Sequence, residues 1–300
     1  MNSFQSKASL SAHSRGAALM FASAAVFTGN VLLIRTLGEM QAVNVWLVAC
    51  ARFVIGLGLI AAVYWKEFEP RHLFRNRKLA ERGLVGATGV YVYYVTIMHL
   101  GAGRATFIGN TYMIWGSLLA AWMLKERLRP AIVIGGISAL IGLALLTNVI
   151  STGARPGIYD LLAVLGSLLS AYVVVTIRHL HATEHTSTIF AAQCVYGLLL
   201  CSGPAVLHPQ VPSPGAGLVI LLASLCAGAG QLAMTRAFRD LPVAEGSLIQ
   251  MIGPLGTAMG GAFLFHERFT PHELIGAGLI FGGTVFAAWR SATTANAEAE

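Results

Sequence analysis

Ten long apolar runs, separated by short segments rich in charge, proline or glycine, are the feature that most constrains this 300-residue chain. A bilayer core about 30 Å thick needs about 20 apolar residues per helix, so runs of this length can cross a membrane. Only 11% of the residues are charged, against about 25% in soluble domains, which excludes disorder and a large soluble catalytic domain. We therefore predict an all-α integral membrane protein with ten transmembrane helices, near residues 17–37, 43–65, 84–100, 105–124, 131–149, 158–180, 188–207, 217–238, 243–265 and 272–289.

Basic residues accumulate on one side of this predicted topology. With a cytoplasmic N-terminus, 15 of the 20 Lys and Arg residues lie on the cytoplasmic side, four lie on the other side, and Arg52 lies within the second span. The positive-inside rule then predicts a multi-pass protein of the cell (inner) membrane with both termini cytoplasmic. The segment from Lys66 to Arg82 is predicted to be a solvated cytoplasmic anchor, and it could also contact anionic lipid headgroups. Topology thus explains the net charge of +7 without nucleic acid.

An internal repeat appears when the second half of the chain is aligned to the first at an offset of 141 residues. Lys125-Glu126-Arg127-Leu128-Arg129-Pro130 then aligns with His266-Glu267-Arg268-Phe269-Thr270-Pro271. Charges are rare in this chain, so a shared Glu-Arg-x-x-Pro block is informative. In each copy the proline can begin the next helix at no cost in hydrogen bonds. The Glu and Arg residues of both blocks are predicted to form ion pairs or cap helix ends, ahead of any substrate contact.

Each block falls between the fourth and fifth helix of its half, so each half has five helices, over residues 17–149 and 158–290. Five is an odd number, so the second half enters the membrane from the opposite side to the first. The sequence therefore predicts two inverted five-helix repeats, an architecture associated with alternating-access carriers.

These blocks, each followed by a Gly-rich helix, together with Ala51-Arg52-Phe53 in the second span, resemble the drug/metabolite transporter superfamily. The resemblance is to its ten-helix carriers with two EamA-type repeats, and it covers about residues 17–290. It implies a secondary transporter, not an enzyme, that uses no cofactor. Substrates of that superfamily include amino acids, cationic drugs, nucleotide-linked metabolites and sugar phosphates, so the resemblance does not select the substrate. It also implies a cavity lined mainly by the first, third, fourth, sixth, eighth and ninth helices.

One face of the fourth span carries small polar and flexible side chains at helical spacing. Thr106, Asn110, Met113 and Ser117 lie at i, i+4, i+7 and i+11, and the repeat maps the first three onto Ser247, Met251 and Pro254. We predict that these faces line a substrate cavity, with ordinary packing as the competing interpretation. Further candidates at useful depth are Asn30, Tyr91, Tyr94, Trp115, Tyr172 and Gln231.

Gly253-Pro254 interrupts the ninth span because proline removes a backbone hydrogen bond. The equivalent Tyr112-Met113 contains no proline. We therefore expect a break in the ninth helix without a counterpart in the fourth.

Arg52 must find partners within the protein, because a charge inside a membrane span is costly. Bonding to neighbouring helices is the first interpretation, and capture of an anionic substrate group is the second. No Asp or Glu lies near the middle of any span, since Asp160, Glu245 and Glu267 are all near span ends. This favours facilitated diffusion or exchange over a midplane proton relay, although His99 could still titrate.

Three further patterns have simple interpretations. His181-Ala182-Thr183-Glu184-His185 matches a zinc-protease motif, but it falls in a short loop without a soluble domain, so no metal site is expected. The four cysteines lie in apolar stretches and are interpreted as small buried side chains. The pairs Gly256–Gly260 and Gly278–Gly282 suit close helix packing within one chain, with a dimer face second, which gives a monomer or a homodimer.

The sequence thus predicts a secondary transporter whose partners are a small molecule and the lipid bilayer. An exporter of amino acids comes first, and the tyrosines of the third span favour aromatic ones. A carrier of phosphorylated or nucleotide-linked metabolites should need several basic residues at depth, and only Arg52 qualifies. A drug efflux carrier ranks beside that second class, and a membrane-embedded metalloenzyme is the most remote of the functions considered.

Overall fold

A computed structural model describes residues 2–41, 43–100, 102–149, 157–266 and 269–297, and all regular structure within these ranges is α-helical. The helices are α1 Asn2–Met40, α2 Val45–Tyr64, α3 Pro70–Arg75, α4 Arg77–Leu100, α5 Ala102–Asn110, α6 Tyr112–Met123, α7 Pro130–Leu146, α8 Ile158–Leu180, α9 Thr186–Leu207, α10 Pro214–Ala237, α11 Val243–Gln250, α12 Ile252–Phe265 and α13 Pro271–Ala297. Prolines begin α7, α10 and α13, where their missing N–H costs nothing.

Within the described ranges, seven segments are long and apolar enough to cross a membrane. They are Ala12–Met40, α2, α8, α9, α10, the joined pair Val243–Phe265, and Pro271–Arg290. Helix α7 is apolar but shorter, while α4 and the pair α5–α6 occupy the predicted third and fourth spans. The all-helical membrane fold is confirmed, and the count of ten spans stays a prediction.

The most extensive contacts between helices follow the internal repeat: each has an equivalent contact in which the two halves are exchanged. Helix α1 packs against α10 and α11–α12, and its repeat equivalent α8 packs against α4 and α5–α6. Helix α2 packs against its own equivalent α9, and α7 packs against its equivalent α13. These two self-related pairs flank the remaining helices, so the elements predicted to line a cavity lie between them.

Four glycines form the crossing of α7 and α13. A Cβ atom added at Gly135 would lie 2.5 Å from the carbonyl oxygen of Gly283, and one at Gly142 would lie 2.5 Å from that of Gly276. At the offset of 141, Gly276 is the equivalent of Gly135 and Gly283 is the equivalent of Gly142. The contact is therefore symmetric about the axis that relates the halves, and only glycine permits so close an approach.

The two GxxxG pairs have different surroundings. Gly256 and Gly260 pack tightly against Thr28 and Leu32 of α1, as intramolecular packing predicts. Gly278 and Gly282 of α13 have no neighbouring heavy atom within 4 Å of a Cβ atom placed there. Packing within the chain therefore explains the first pair only.

Both the fourth and the ninth helices are broken, contrary to the expectation of a single break. Thr111 separates α5 from α6, and Met251 separates α11 from α12, almost at equivalent positions. Each is a tight turn in which an N–H bonds to the carbonyl three residues earlier, at 3.1 Å for Thr111 and 3.0 Å for Met251. The fourth helix needs no proline, because the Thr111 hydroxyl donates to the Ile108 carbonyl (2.6 Å) and competes with the helical ladder.

The predicted solvated anchor is also partly wrong. Residues 70–75 form the short helix α3, and α4 begins at Arg77, several residues before the predicted span. Arg82 therefore lies within α4, where it is fully buried. A dense run of basic residues had concealed the start of a packed helix.

Candidate substrate pathway

A cavity of about 220 Å³ lies between α4, α5–α6 and α8. Its lining combines aromatic rings, hydroxyls and one amide with small apolar groups, and none of its residues carries a formal charge. The lining residues are Val92, Tyr93, Thr96, Ala105, Gly109, Asn110, Tyr112, Ala163, Gly166 and Ser170. Because α5 and α8 begin near it, the cavity lies toward the end of the bundle that the charge count predicts to be extracellular.

Of the predicted residues, Asn110 lines this cavity, and Thr106 lies one turn away from it. The Asn110 amide donates to the Thr106 carbonyl (2.8 Å), and the Thr106 hydroxyl lies 3.2 Å from the Tyr93 hydroxyl. The cavity therefore contains a small hydrogen-bonding group of residues on α4 and α5. The sequence prediction missed Tyr93 and selected its neighbour Tyr94, a residue whose side chain lies outside the described part.

The remaining predicted residues of the fourth helix face other surroundings. Met113 is buried, and its methyl group packs beside Gly136 of α7. The Ser117 hydroxyl donates to the Met113 carbonyl (2.7 Å), as serine often does inside helices. Trp115 is 36% exposed on the outer surface of the described chain. Of the predicted helical face, the residues before the Thr111 turn therefore lie at or near the cavity, and those after it do not.

Two predicted tyrosines have partners outside the cavity. The Tyr91 ring stacks on Trp46 of α2 with 4.8 Å between ring centroids. The Tyr172 hydroxyl donates to the Glu81 carboxylate at 2.8 Å, near the start of α4. Each contact joins two different helices, so packing accounts for both side chains in this conformation.

The predicted residues of the second half, and Asn30, lie mainly in helix contacts. The Asn30 amide donates to the Ala223 carbonyl (2.8 Å), which links α1 to α10. Ser247 and Met251 are fully buried on α11 and at its end. Pro254 lies in the first turn of α12, and the carbonyl of the preceding Gly253 accepts the Thr28 hydroxyl at 3.3 Å. This hydrogen bond joins α12 to α1 next to the break.

Two arginine–glutamine pairs occupy the centre of the bundle. Arg52 of α2 donates to the Gln231 side chain on α10 at 3.4 Å. Arg82 of α4 donates to the Gln193 side chain on α9 at 3.0 Å. Gln193 is the repeat equivalent of Arg52. Arg52 therefore has a partner on a neighbouring helix, as the sequence prediction required. Arg82 is a second buried charge, although the sequence prediction had placed it in a loop.

Glu126 of the first Glu-Arg-x-x-Pro block links the two halves. Its carboxylate accepts the backbone N–H of Val243 (2.9 Å), the first residue of α11, and Arg178 of α8 (3.3 Å). Arg178 also donates to the Phe238 carbonyl at 3.0 Å. A carboxylate at a helix N-terminus is favourable because it satisfies a free N–H and interacts with the helix dipole.

The other charged residues predicted from the two blocks do not share the contacts described for Glu126 or lie outside the described ranges. The Arg127 side chain is exposed. Glu267 and Arg268 lie outside the described residues, so their predicted roles stay predictions.

A partly buried contact between a histidine and a carboxylate also joins α1 to α11 at this same end. The Nε2 atom of His13 lies 3.1 Å from both carboxylate oxygens of Glu245, and Glu245 is only 3% exposed. The position of Glu245 near a span end gave no sign of this partner. This contact holds α1 and α11, helices of opposite halves, against each other.

The residues of the zinc-like motif point to separate partners. The Nε2 atom of His181 lies 2.7 Å from the Thr235 carbonyl, and burial lowers the pKa of His181 to about 4. Glu184 accepts from His72 (3.0 Å) and Asn76 (2.7 Å), while His185 contacts Ser187. Across the part of the chain that is described, no group of three potential ligands could hold a metal ion.

The bundle is made of apolar helices, helices of one half pack against helices of the other half, and a cavity lies between the two halves. This arrangement defines a membrane carrier built from an internal repeat. Comparison with known families agrees: the profile described as the EamA-like transporter family matches residues 14–148 and again residues 157–289. The chain therefore belongs to the EamA-like transporter family, of the drug/metabolite transporter type, and is a multi-pass membrane transporter.

Other comparisons are less specific. No curated protein matches the sequence. One solved crystal structure of a protein is similar with a TM-score of 0.76 and 18% sequence identity, covering 91% of this chain and 97% of the other. At this identity the likeness concerns the fold alone.

Proposed function

We propose that this transporter exports amino acids, aromatic ones among them, across the cell (inner) membrane by alternating access. The observation that carries the proposal is the cavity lined by Tyr93, Thr96, Asn110, Tyr112 and Ser170. Aromatic rings and neutral hydrogen-bonding groups suit a ligand with an apolar or aromatic body and a few polar atoms.

The charge of the cavity separates amino acids from cationic drugs and phosphorylated metabolites. Its lining holds no carboxylate that would select a cationic drug and no cluster of Lys or Arg that would select a phosphorylated metabolite. A metalloenzyme would need a set of metal ligands, and the His181–His185 segment directs its side chains to separate partners.

Alternating access also gives a role to the contacts at the start of α11. Glu126 and His13 attach this helix of the second half to elements of the first half, through Val243 and Glu245. We propose that this end is cytoplasmic, as are both termini, and that these contacts hold it closed while the cavity opens to the other side.

A ligand-stabilisation screen on the purified protein tests the substrate class. Melting temperatures are measured with aromatic and aliphatic amino acids, cationic drugs and sugar phosphates, because a bound ligand stabilises the folded state. We expect amino acids, and aromatic ones most, to raise the melting temperature. A larger shift with sugar phosphates or drugs contradicts the proposal.

Counterflow in liposomes then tests transport itself. Replacing Tyr93→Phe removes one hydroxyl from the cavity and should weaken substrate affinity about fivefold, the effect of about 1 kcal/mol for one hydrogen bond. Tyr64→Phe, at the end of α2, is the matched control and should leave affinity unchanged. Flux with and without a pH gradient distinguishes facilitated diffusion or exchange, which we favour, from proton coupling.

A further inference from the structure

Arg82 has donor atoms that its surroundings do not use. Its side chain is fully buried, and its Nη2 atom donates to Gln193. Its Nε and Nη1 atoms have no hydrogen-bond partner among the described residues. A guanidinium cannot lose its proton inside a protein and carries five N–H donors, so burial leaves it in need of acceptors.

The charged group identified near Arg82 is another arginine. Arg52 lies near enough for the two charges to repel, and the Cys194 thiol lies close to both. Within the described chain, neither arginine forms an ion pair; the partners identified for them are the neutral amides of Gln193 and Gln231. Two deep cations without a counter-ion favour the binding of an anion.

Arg82 and the cavity residue Tyr93 lie on the same face of α4. Arg82, Gly86, Gly89 and Tyr93 lie at i, i+4, i+7 and i+11, and therefore on one side of the helix. Gly86 leaves room for the guanidinium, since its added Cβ would lie 2.9 Å from Nη1. An added Cβ at Gly89 would lie 4.0 Å from the hydroxyl of Ser170, a cavity residue. Gly86 and Gly89 add no side chain of α4 between Arg82 and Tyr93. Val173 and Leu169 of α8 pack over these glycines, each with an atom 3.7 Å from the added Cβ.

We propose that Arg82, assisted by Arg52, forms an anion site for a carboxylate at the inner end of this α4 face. The inference rests on the proposed function and deepens it, because the carboxylate is that of the transported amino acid. A phosphate would require several convergent cations with free donors. Two guanidinium groups, each with one glutamine partner, match the single charge and two oxygens of a carboxylate.

The test is a titration of the purified full-length protein with sodium acetate at constant pH, followed by melting temperature. Acetamide serves as the uncharged analogue, and sodium chloride and sodium phosphate serve as other anions. We expect acetate at about five times its Kd, which stabilises by about 1 kcal/mol, to raise the melting temperature by about 2–4 °C, with little effect of acetamide or chloride. In Arg82→Gln, the acetate concentration that gives the same increase should be at least tenfold higher.

Arg77→Gln is the matched control, because Arg77 lies on the same helix with a side chain that is 93% exposed. It should respond to acetate like the wild type. If Arg82→Gln does not fold, Arg52→Gln should show the weakened response, and Gln193→Leu, which keeps both charges, should retain it. Equal responses of wild type and the Arg82 or Arg52 variant overturn the proposal, as does equal stabilisation by chloride or stronger stabilisation by phosphate.

Acetate binding requires no transport, so the two proposals can fail separately. Amino-acid counterflow without any acetate response removes the carboxylate site and leaves the exporter. An acetate response that depends on Arg82, without amino-acid transport, removes the exporter and leaves the anion site.

Discussion

Glu126 is a residue whose role follows from the backbone atom that it binds. Its carboxylate accepts the first N–H of α11, a helix of the opposite half, and pairs with Arg178. Glu126→Ala leaves that N–H without its acceptor and removes the carboxylate partner of Arg178, which keeps its bond to the Phe238 carbonyl. We expect the free energy of unfolding to fall by about 1–2 kcal/mol, the usual cost of removing a helix cap, measured by equilibrium unfolding in mixed micelles. Arg127→Ala, next in sequence but exposed, should change it little, and equal losses would contradict the capping role.

His72 makes another contact between the halves, and this one depends on pH. The hydrogen bond to Glu184, with help from the charges of Glu184 and Glu69, raises the pKa of His72 above its ordinary value. The folded state therefore favours the protonated ring, so this stabilisation is fully present below the ordinary pKa of about 6.5 and is lost as pH rises through the higher folded value.

The wild-type melting temperature, relative to that of His72→Gln, should therefore decrease between about pH 6 and pH 8. Subtracting the melting temperature of the variant from that of the wild type at each pH removes the contributions of other titrating groups. His208→Gln replaces another exposed histidine and should follow the wild-type curve. A constant difference between wild type and His72→Gln across this range would contradict the assignment.

Among the elements, the crossing of α7 and α13 should be the contact least tolerant of added volume. Gly135→Ala places a methyl group 2.5 Å from the Gly283 carbonyl oxygen, so the helices must separate. We expect a loss of about 1–3 kcal/mol, the usual cost of overpacking, in the same equilibrium unfolding measurement. Gly278→Ala on α13 meets nothing within 4 Å and should be neutral or slightly stabilising, because alanine favours helix. Comparable losses in both variants would show that the crossing tolerates an extra methyl group.

At the scale of the whole molecule, the features that repeat could be predicted from the sequence. The Glu-Arg-x-x-Pro blocks and the glycines of α7 and α13 recur at one offset, so the all-helical fold of two repeats follows from them. Single side chains were harder to place. Tyr93 and Tyr94 differ by one residue, which is about 100° around a helix, and apolar sequence does not fix that angle.

Two other features depend on tertiary contacts that no local pattern encodes. Arg82 stands in a basic run whose composition resembles a solvated loop, yet Gln193, distant in sequence, binds it inside the bundle. Thr111 breaks the fourth helix through hydrogen bonds to Ile108 and to Ser167 of α8. A search for proline alone therefore finds only one of the two breaks.

Alternating access makes a reciprocal prediction for the two ends of the molecule. In a background without the four native cysteines, Ser247→Cys reports on the end where α11 begins, and Asn110→Cys reports on the cavity. Glu126→Ala weakens the closed arrangement of α11 by about 1–2 kcal/mol, and about 1.4 kcal/mol changes a two-state population tenfold. A membrane-impermeant maleimide should then label Ser247→Cys about tenfold faster from the α11 side and label Asn110→Cys more slowly from the opposite side. Faster labelling at both positions would indicate that the variant has loosened the whole protein. In alternating access, a shift toward the state that is open at one end must reduce access at the other end.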